Sequence, residues 1–282
     1  MKTKMTFTKK DVIVVAGCVV FLIANIGAIG SGGRKRAKDA VCQSNLRQWG
    51  NIFMMYASDF NGSFPTGGCL SEWLPESMQG QGLNTGNYQY AAMGDWTVCM
   101  RRYYYKDNRD LMFCAEARKL GPDWQNNTWI GAAHYSWEWW WRNPYNEAEI
   151  LTLNGSYGLN GWVYNCPDAG NENNWKTANV AGADNIPLLL DSAVSGGSPN
   201  SWDAPPAFPD DIQVGWMTSH MKYFCIDRHG GGTINSLFLD FSVRKVGLKD
   251  LWKLKWHRNF DVDAPSPDWA TEAPWMKDFQ DY

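Results

Sequence analysis

The sequence predicts an α+β protein in which a long N-terminal helix carries an antiparallel-sheet head. Residues 12–33 form an uncharged, mainly apolar run, and residues 34–60 repeat apolar side chains at helical spacing. From residue 61 to residue 282, short apolar runs alternate with Gly, Asn, Pro and Asp clusters, as in strand-and-turn domains. We therefore divide the chain into a basic N-terminus (1–11), a transmembrane segment (12–33), an amphipathic continuation (34–60) and a globular head (61–282).

The apolar run carries no charged side chain over the 22 positions from 12 to 33. A helix needs about 20 apolar residues to cross the hydrocarbon core of a bilayer. A cleaved secretory signal and a buried core helix are the alternatives. The run is longer than a usual signal, continues into a helical pattern without a break, and lacks a one-sided apolar face. We therefore favour a single-pass anchor, whose orientation the nearly balanced flanking Lys and Arg leave open.

Beyond the basic cluster at residues 34–38, the helix becomes amphipathic. Its apolar stripe is expected to pack on the head through Leu46, Trp49, Phe53 and Tyr56. The helix is predicted to end near Asp59, because Asn, Gly and Pro follow within six residues. Four glycines between residues 27 and 33 predict a bend between the two halves.

Charge is distributed unevenly along the chain. Residues 1–47 contain nine Lys and Arg against two Asp, a net charge of +7, and the remainder carries −10. A basic segment beside an apolar run suits anionic lipid headgroups, so we expect a membrane partner. An acidic body lacks the basic face of nucleic-acid-binding domains, so we exclude a nucleic-acid partner.

Two spaced motifs follow the apolar run. The first is Cys-x-x-Asn-Leu-x-Gln-x-Gly, and the second is Tyr-Ala-x-Asp-x-x-Gly-x-x-Pro. They are formed by Cys42, Asn45, Leu46, Gln48, Gly50, Tyr56, Ala57, Asp59, Gly62 and Pro65. Through them the chain resembles type IV pilin-like proteins, a group that includes type II secretion pseudopilins, and above all those of planctomycete and verrucomicrobial bacteria.

Further segments extend this resemblance into the head. "FCAEA" around Cys114 is similar to a Phe-x-Cys-Pro segment of the family, and residues 156–162, 186–192 and 228–243 resemble later head segments. The resemblance implies a structural subunit of a pilus-like or pseudopilus filament, without catalysis, assembled from copies of itself or from other pilin-like subunits. It also implies a single-pass protein of the bacterial cytoplasmic membrane, with its head in the periplasm or at the cell surface.

The N-terminus bears on how such a subunit is processed. The resemblance implies cleavage between Thr6 and Phe7, after which Asp11 pairs with the new amine of a neighbouring subunit during assembly. Here Thr6 occupies the usual Gly position, and two lysines precede Asp11. The alternative is therefore an uncleaved, membrane-anchored periplasmic binding module whose Trp-rich head recognises glycan or a partner protein.

Seven cysteines are present, and one of them, Cys18, lies in the apolar run. In an exported head the other six permit up to three disulfides, although reduced and buried thiols remain open. These six are Cys42, Cys69, Cys99, Cys114, Cys166 and Cys225.

No catalytic or zinc-knuckle spacing occurs among the Cys, His and Ser residues, so we predict neither an enzyme nor a resident cofactor. A weaker possibility is Ca²⁺ bound by Asp203, Asp210 and Asp211 in the long loop at 192–211, against a solvated acidic loop. "WEWWW" predicts a strand and a candidate recognition surface formed by Trp137, Trp139, Trp140 and Trp141.

Overall fold

The computed structural model confirms an α+β architecture with a long helix and a sheet of several strands. It describes residues 8–28, 30, 32–67, 96–100, 103, 109–121, 130–143, 146–165, 172–212 and 219–280. The candidate processing residues Thr6 and Phe7 lie outside these ranges, as do Cys69 and Cys166. The side chains of Trp139, Trp140 and Trp141 also lie outside the described part of the chain.

The N-terminal helical region consists of two helices. Helix α1 spans Lys9–Ala28, helix α2 spans Gly32–Asp59, and Gly30 lies in a turn between them. The break therefore falls in the glycine-rich stretch where the sequence predicted a bend. Helix α2 ends at Asp59, as predicted, and Asn61 and Gly62 follow with positive φ angles of 52° and 83°.

The head is built around a five-stranded sheet. Its strands are β3 (Tyr157–Asn160), β4 (Pro187–Asp191), β5 (Gly196–Gly197), β6 (Thr233–Phe238) and β7 (Val243–Gly247), in the order β5-β3-β4-β6-β7. A separate antiparallel hairpin pairs β1 (Trp137–Asn143) with β2 (Asn146–Gly155). A short helix, α3, spans Trp96–Cys99, and 3-10 turns include Arg109–Met112 and Lys249–Lys253.

The main sheet is antiparallel except at one edge, where β5 runs parallel to β3. A Cβ on Gly196 would stand 2.9 Å from the carbonyl oxygen of Leu159, so the close approach of β5 needs glycine there. Two consecutive glycines give no strand signal in the sequence, which is why the loop at 192–211 was predicted without this short strand.

Helix α2 packs on one face of the sheet, across β6 and β7. A Cβ on Gly50 would meet the Leu237 side chain at 3.2 Å, which shows how closely helix and sheet approach. The four stripe residues predicted to pack are all in this core, namely Leu46, Trp49, Phe53 and Tyr56. A second core on the opposite face contains Leu190, Ile234, Phe238, Phe224 and Trp256. The central strands are therefore buried on both faces.

Candidate functional site

Helix α1 exposes apolar side chains around its surface. Among those that the structure describes, Val20 is 67% exposed and Ile13 is 71% exposed, and Val14, Val15 and Val19 are exposed as well. Contiguous apolar surface of this kind marks a site of protein or membrane interaction. Within the described residues, no helix is both long and apolar enough to span a membrane.

The predicted assembly residue Asp11 lies at the first turn of α1. Its Oδ2 accepts hydrogen bonds from the Thr8 backbone amide at 2.8 Å and from the Thr8 hydroxyl at 2.7 Å. The Asp11 amide in turn donates to Thr8 Oγ1 at 3.3 Å. These reciprocal bonds form a capping box that fixes the start of the helix. The Thr-x-x-Asp spacing in the sequence is the signal that could have revealed it.

A second candidate site lies buried between α2 and the sheet. Four side chains converge there, and one ligand atom of each lies within 4.8 Å of those of the other three. We call this group the Cys–Asp–His cluster, formed by Cys42, Cys114, Asp191 and His229. It brings together two of the predicted disulfide candidates with a carboxylate and an imidazole that sequence reasoning did not select.

Each member of the cluster comes from a different part of the fold. Cys42 is the first buried residue of α2, Cys114 follows the 3-10 turn Arg109–Met112, and Asp191 is the last residue of β4. His229 precedes three glycines, Gly230 to Gly232, which all have positive φ angles and return the chain into β6. The glycine run therefore places the imidazole beside the end of β4.

The Asp191 carboxylate is the centre of the cluster. Its Oδ2 lies 2.9 Å from Nε2 of His229 and accepts a 2.9 Å bond from the Asn235 amide. Its Oδ1 lies 3.4 Å from Nη1 of Arg228 and 3.5 Å from Sγ of Cys42. On the far side, Sγ of Cys114 lies 3.7 Å from the same Nε2 of His229. All four cluster members therefore lie within bonding distance of at least one other.

Charge interactions shift the protonation of the carboxylate and the imidazole. Burial alone would raise the pKa of Asp191, but the charge and hydrogen bond of His229, together with Arg228, lower it. Burial alone would lower the pKa of His229, but Asp191 and Cys114 raise it to about 10. At neutral pH, His229 is therefore an imidazolium and Asp191 is a carboxylate.

The two thiols of the cluster differ. Burial raises the pKa of Cys42 well above its usual value, and the neighbouring Cys114 and Asp191 raise it further. Burial also disfavours the Cys114 thiolate, but hydrogen bonds from Cys42 and His229 and the charge of Arg228 lower its pKa to about 7. The first thiol proton to leave this pair is therefore that of Cys114.

Arg228 is fully buried and places a permanent positive charge beside the cluster. Its Nε donates to the Ala133 carbonyl at 3.0 Å, and Nη2 donates to the Ala132 and Ser192 carbonyls at 2.7 and 3.0 Å. Nη1 donates to the Ser156 carbonyl and faces Asp191. A buried charge is tolerated when it is paired and hydrogen-bonded in this way.

A further layer of polar groups orients the cluster. Asp39 lies 3.4 Å from Nδ1 of His229, accepts a 2.7 Å bond from the Asn235 side chain and forms a 2.8 Å ion pair with Lys245. The Tyr157 hydroxyl donates to Sγ of Cys42 at 3.2 Å. Both nitrogens of the imidazole and one of the sulfurs therefore have fixed partners.

The donor set decides what the cluster can do chemically. A thiol beside an imidazole is also the pair used in nucleophilic catalysis. Here, however, the Cys114 side chain is fully buried, so a substrate has no direct access to its sulfur. The nearest imidazole nitrogen, Nε2 of His229, also bonds Asp191. Two thiols, an imidazole and a carboxylate are ligands for borderline-soft divalent metals. These four side chains could therefore hold such a metal ion.

Other predicted site residues serve the packing of the head. Trp137 is fully buried and its indole nitrogen donates to the Tyr157 carbonyl at 3.1 Å, so its predicted place on a recognition surface is wrong. Among the cysteines, Cys42, Cys114 and Cys225 are free thiols, so none of these three is in a disulfide. Cys99 is half-buried on α3.

The three calcium candidates instead hold the long loop to the rest of the head. Asp203 accepts from the Met221 amide, Asp210 accepts from the Ala133 amide, and Asp211 forms a 2.8 Å ion pair with Lys222. None of the three belongs to the group of converging metal-ligand atoms found in the described part of the chain. The predicted Ca²⁺ set is therefore not assembled by these contacts.

Comparisons of the chain with protein-family models, with curated proteins and with solved structures find no match.

Proposed function

We propose that this protein is a membrane-anchored, pilin-like structural subunit of a pilus-like or pseudopilus filament. The observation that carries the proposal is the exposed apolar surface of α1, at Ile13, Val14, Val15, Val19 and Val20. Leaving such side chains in water costs about 25 cal/mol for each Å² of apolar surface. In the proposed arrangement the bilayer covers α1 before assembly, and the α1 helices of neighbouring subunits cover it in the filament.

The attachment of α2 to the head supports the same proposal. Helix α2 buries a stripe from Cys42 to Tyr56 against the sheet, whereas α1 has its described apolar residues exposed. A single helical region thus has one half committed to the head and one half available to other partners. That division is what a filament subunit needs, because its head must stay folded while α1 changes environment.

Helix–helix contact between subunits is tested through Cys18, an exposed thiol on α1. We expect oxidation of the full chain in native membranes to give covalent dimers through Cys18, and the Cys18→Ser variant to lose them. Dimers that persist in Cys18→Ser would show that other thiols are responsible. If oxidised, assembled wild-type protein gave no covalent dimers, packing of α1 against α1 would be contradicted.

Burial of α1 is tested by a matched pair of substitutions. Val20→Asp places a charge on α1, and Val41→Asp places the same charge on an exposed position of α2. A charge near the bilayer centre costs about 2.5–3.5 kcal/mol, so only Val20→Asp is expected to reduce membrane association and assembly. Equal behaviour of the two variants in membrane fractionation would oppose the proposal.

The second candidate function is an uncleaved, anchored periplasmic binding module. The capping box is compatible with it, because Oδ2 of Asp11 bonds Thr8 within the same chain and these bonds need no neighbouring subunit. Exposed aromatic side chains at Trp202 and Phe208 provide contact surface in the long loop. Mass spectrometry of the native chain separates the two functions. A start at Phe7 supports the filament, and an intact start at Met1 or Lys2, without filaments, supports the module.

A further inference from the structure

We propose that the Cys–Asp–His cluster is a structural site for one Zn²⁺ ion. The ligands are the sulfurs of Cys42 and Cys114, Nε2 of His229 and one carboxylate oxygen of Asp191. This assignment goes beyond the filament function and is independent of it, because it concerns the buried head and not α1.

Two of the ligand pairs in the cluster are as far apart as the ligands around a tetrahedral zinc ion. With zinc bonds of about 2.3 Å to sulfur and about 2.0–2.2 Å to nitrogen or oxygen, ligand atoms lie about 3.3–3.8 Å apart. Cys42 lies 3.5 and 3.7 Å from the two Asp191 oxygens, and Cys114 lies 3.7 Å from Nε2 of His229. The 2.9 Å contact between His229 and Asp191 must lengthen, since the metal replaces the hydrogen that lies between them. All four ligand atoms lie within 4.8 Å of one another.

Charge balance also favours a divalent cation. On binding, Zn²⁺ displaces the protons that the two thiols and the His229 imidazolium carry, and these protons leave to solvent. The two thiolates and the carboxylate then carry three negative charges, and the buried Arg228 guanidinium carries one positive charge, 3.4 Å from Asp191. One Zn²⁺ ion therefore makes the buried group of four ligands and Arg228 neutral. Neutrality matters here because an uncompensated charge in the interior costs several kcal/mol. Two sulfur ligands favour zinc over hard cations such as Ca²⁺ or Mg²⁺.

The surrounding hydrogen bonds have the form of a zinc second shell. Metal-bound histidines usually direct their other ring nitrogen at a carboxylate, and Nδ1 of His229 lies 3.4 Å from Asp39. The Tyr157 hydroxyl supports one sulfur at 3.2 Å, and the Asn235 amide supports the carboxylate at 2.9 Å. Four protein ligands leave no open position, which is the arrangement of structural rather than catalytic zinc.

The test uses the full chain, purified in detergent under reducing conditions and stripped of metal. We expect it to bind one equivalent of Zn²⁺. Co²⁺ should give the visible bands of a tetrahedral ion and a near-ultraviolet thiolate-to-cobalt band. Cys114→Ser should weaken the thiolate-to-cobalt band, because the Cys42 sulfur is then the one thiolate ligand left, and should bind zinc at least about 10–100-fold more weakly. The matched control is Cys225→Ser, because Cys225 is another buried thiol but lies beside Met276, outside the cluster.

A second variant keeps the test valid if Cys114→Ser fails to fold. Asp39→Asn leaves all four ligands in place but weakens the hold on Nδ1 of His229, so zinc affinity should fall about 10–100-fold with the cobalt spectrum retained. Failure of the wild-type chain to bind zinc stoichiometrically, or equal binding by wild type and Cys114→Ser, would overturn the proposal. A Cys42–Cys114 disulfide in the native protein, detected by mass spectrometry without reductant, would overturn it too.

Discussion

Phe53→Ala tests the packing of α2 against the head most directly. The Phe53 ring is fully buried and lies 6.1 Å from the Phe64 ring and 6.4 Å from the Trp49 and Trp96 rings, measured between centroids. Truncation to alanine removes the whole ring from the centre of this aromatic group. The neighbouring rings are themselves buried, so they have little room to close the cavity.

The expected loss follows from the size of the removed group. Phe→Ala changes in protein cores cost about 3–5 kcal/mol, which includes the cavity that remains. For a domain of this size each kcal/mol lowers the melting temperature by about 2–4 °C, so we expect a fall of roughly 6–20 °C. The upper part of the range applies if the edge-to-face contact with Phe64 adds its own contribution.

Chemical denaturation of the full chain in mild detergent, followed by tryptophan fluorescence, measures this loss. The matched control is Met54→Ala, at the next position of α2, where the side chain is 42% exposed. Its free energy of unfolding should change by no more than about 0.5 kcal/mol. Equal stability of Phe53→Ala and wild type, or equal losses in the two variants, would refute the packing of α2 described above.

Three further tests concern the backbone, a buried charge and a buried histidine of the head. Gly232→Ala should lower the free energy of unfolding by more than about 1–2 kcal/mol, because φ is +74° and a Cβ would collide with the C-terminal segment. Gly231→Ala, with open space and φ of +69°, should show the strain alone in the same thermal melts. Arg228→Lys should cost more than about 2 kcal/mol in denaturation, because lysine cannot reach the same four carbonyls. Burial lowers the pKa of His257 in the folded state to about 4, from its usual 6.5. The neutral histidine therefore contributes its full stability above pH 6.5. This contribution falls as the pH drops from 6.5 towards 4, because the unfolded chain then binds the proton more readily than the folded protein does. His257→Phe should flatten the stability profile in that window relative to wild type.

Much of the fold could be predicted because its signals are local. The stripe of Leu46, Trp49 and Phe53 follows one face of a helix, and each of these residues is buried. In the sequence, the short apolar runs at 186–190, 236–239 and 242–246 have the length and composition of strands, and β4, β6 and β7 occupy those places. Periodicity and turn residues fix such elements without knowledge of their partners.

The Cys–Asp–His cluster could not be predicted, because it is assembled by tertiary structure alone. Cys42 and Asp191 are 149 residues apart, and Cys114 and His229 are 115 residues apart. Sequence rules for metal sites depend on ligands spaced within a few residues, so the absence of such spacing led to the prediction of no metal. The buried Arg228 was likewise missed, since arginine in a Gly-rich segment normally indicates surface.

The Cys–Asp–His cluster lies where α2 leaves the head. Cys42 is the first buried residue of α2, and the helix is exposed or partly exposed from Gly32 to Val41. Just before this boundary, Lys38 pairs with Glu116 at 2.9 Å and Asp39 pairs with Lys245 at 2.8 Å. These partly exposed ion pairs contribute little alone, about 0–1 kcal/mol each.

The junction therefore depends on the buried contacts of Cys42 and of the residues bonded to it. A bond from Cys42 to a shared metal would tie α2 directly to the end of β4 at Asp191, at the point where the helix leaves the sheet. Any force on α1 reaches the head through this point, because α1 and α2 are consecutive in the chain. If the cluster holds zinc as proposed, loss of the metal should weaken the attachment of α2 to the sheet. Local unfolding of α2 should then begin near Cys42, where the helix leaves the head.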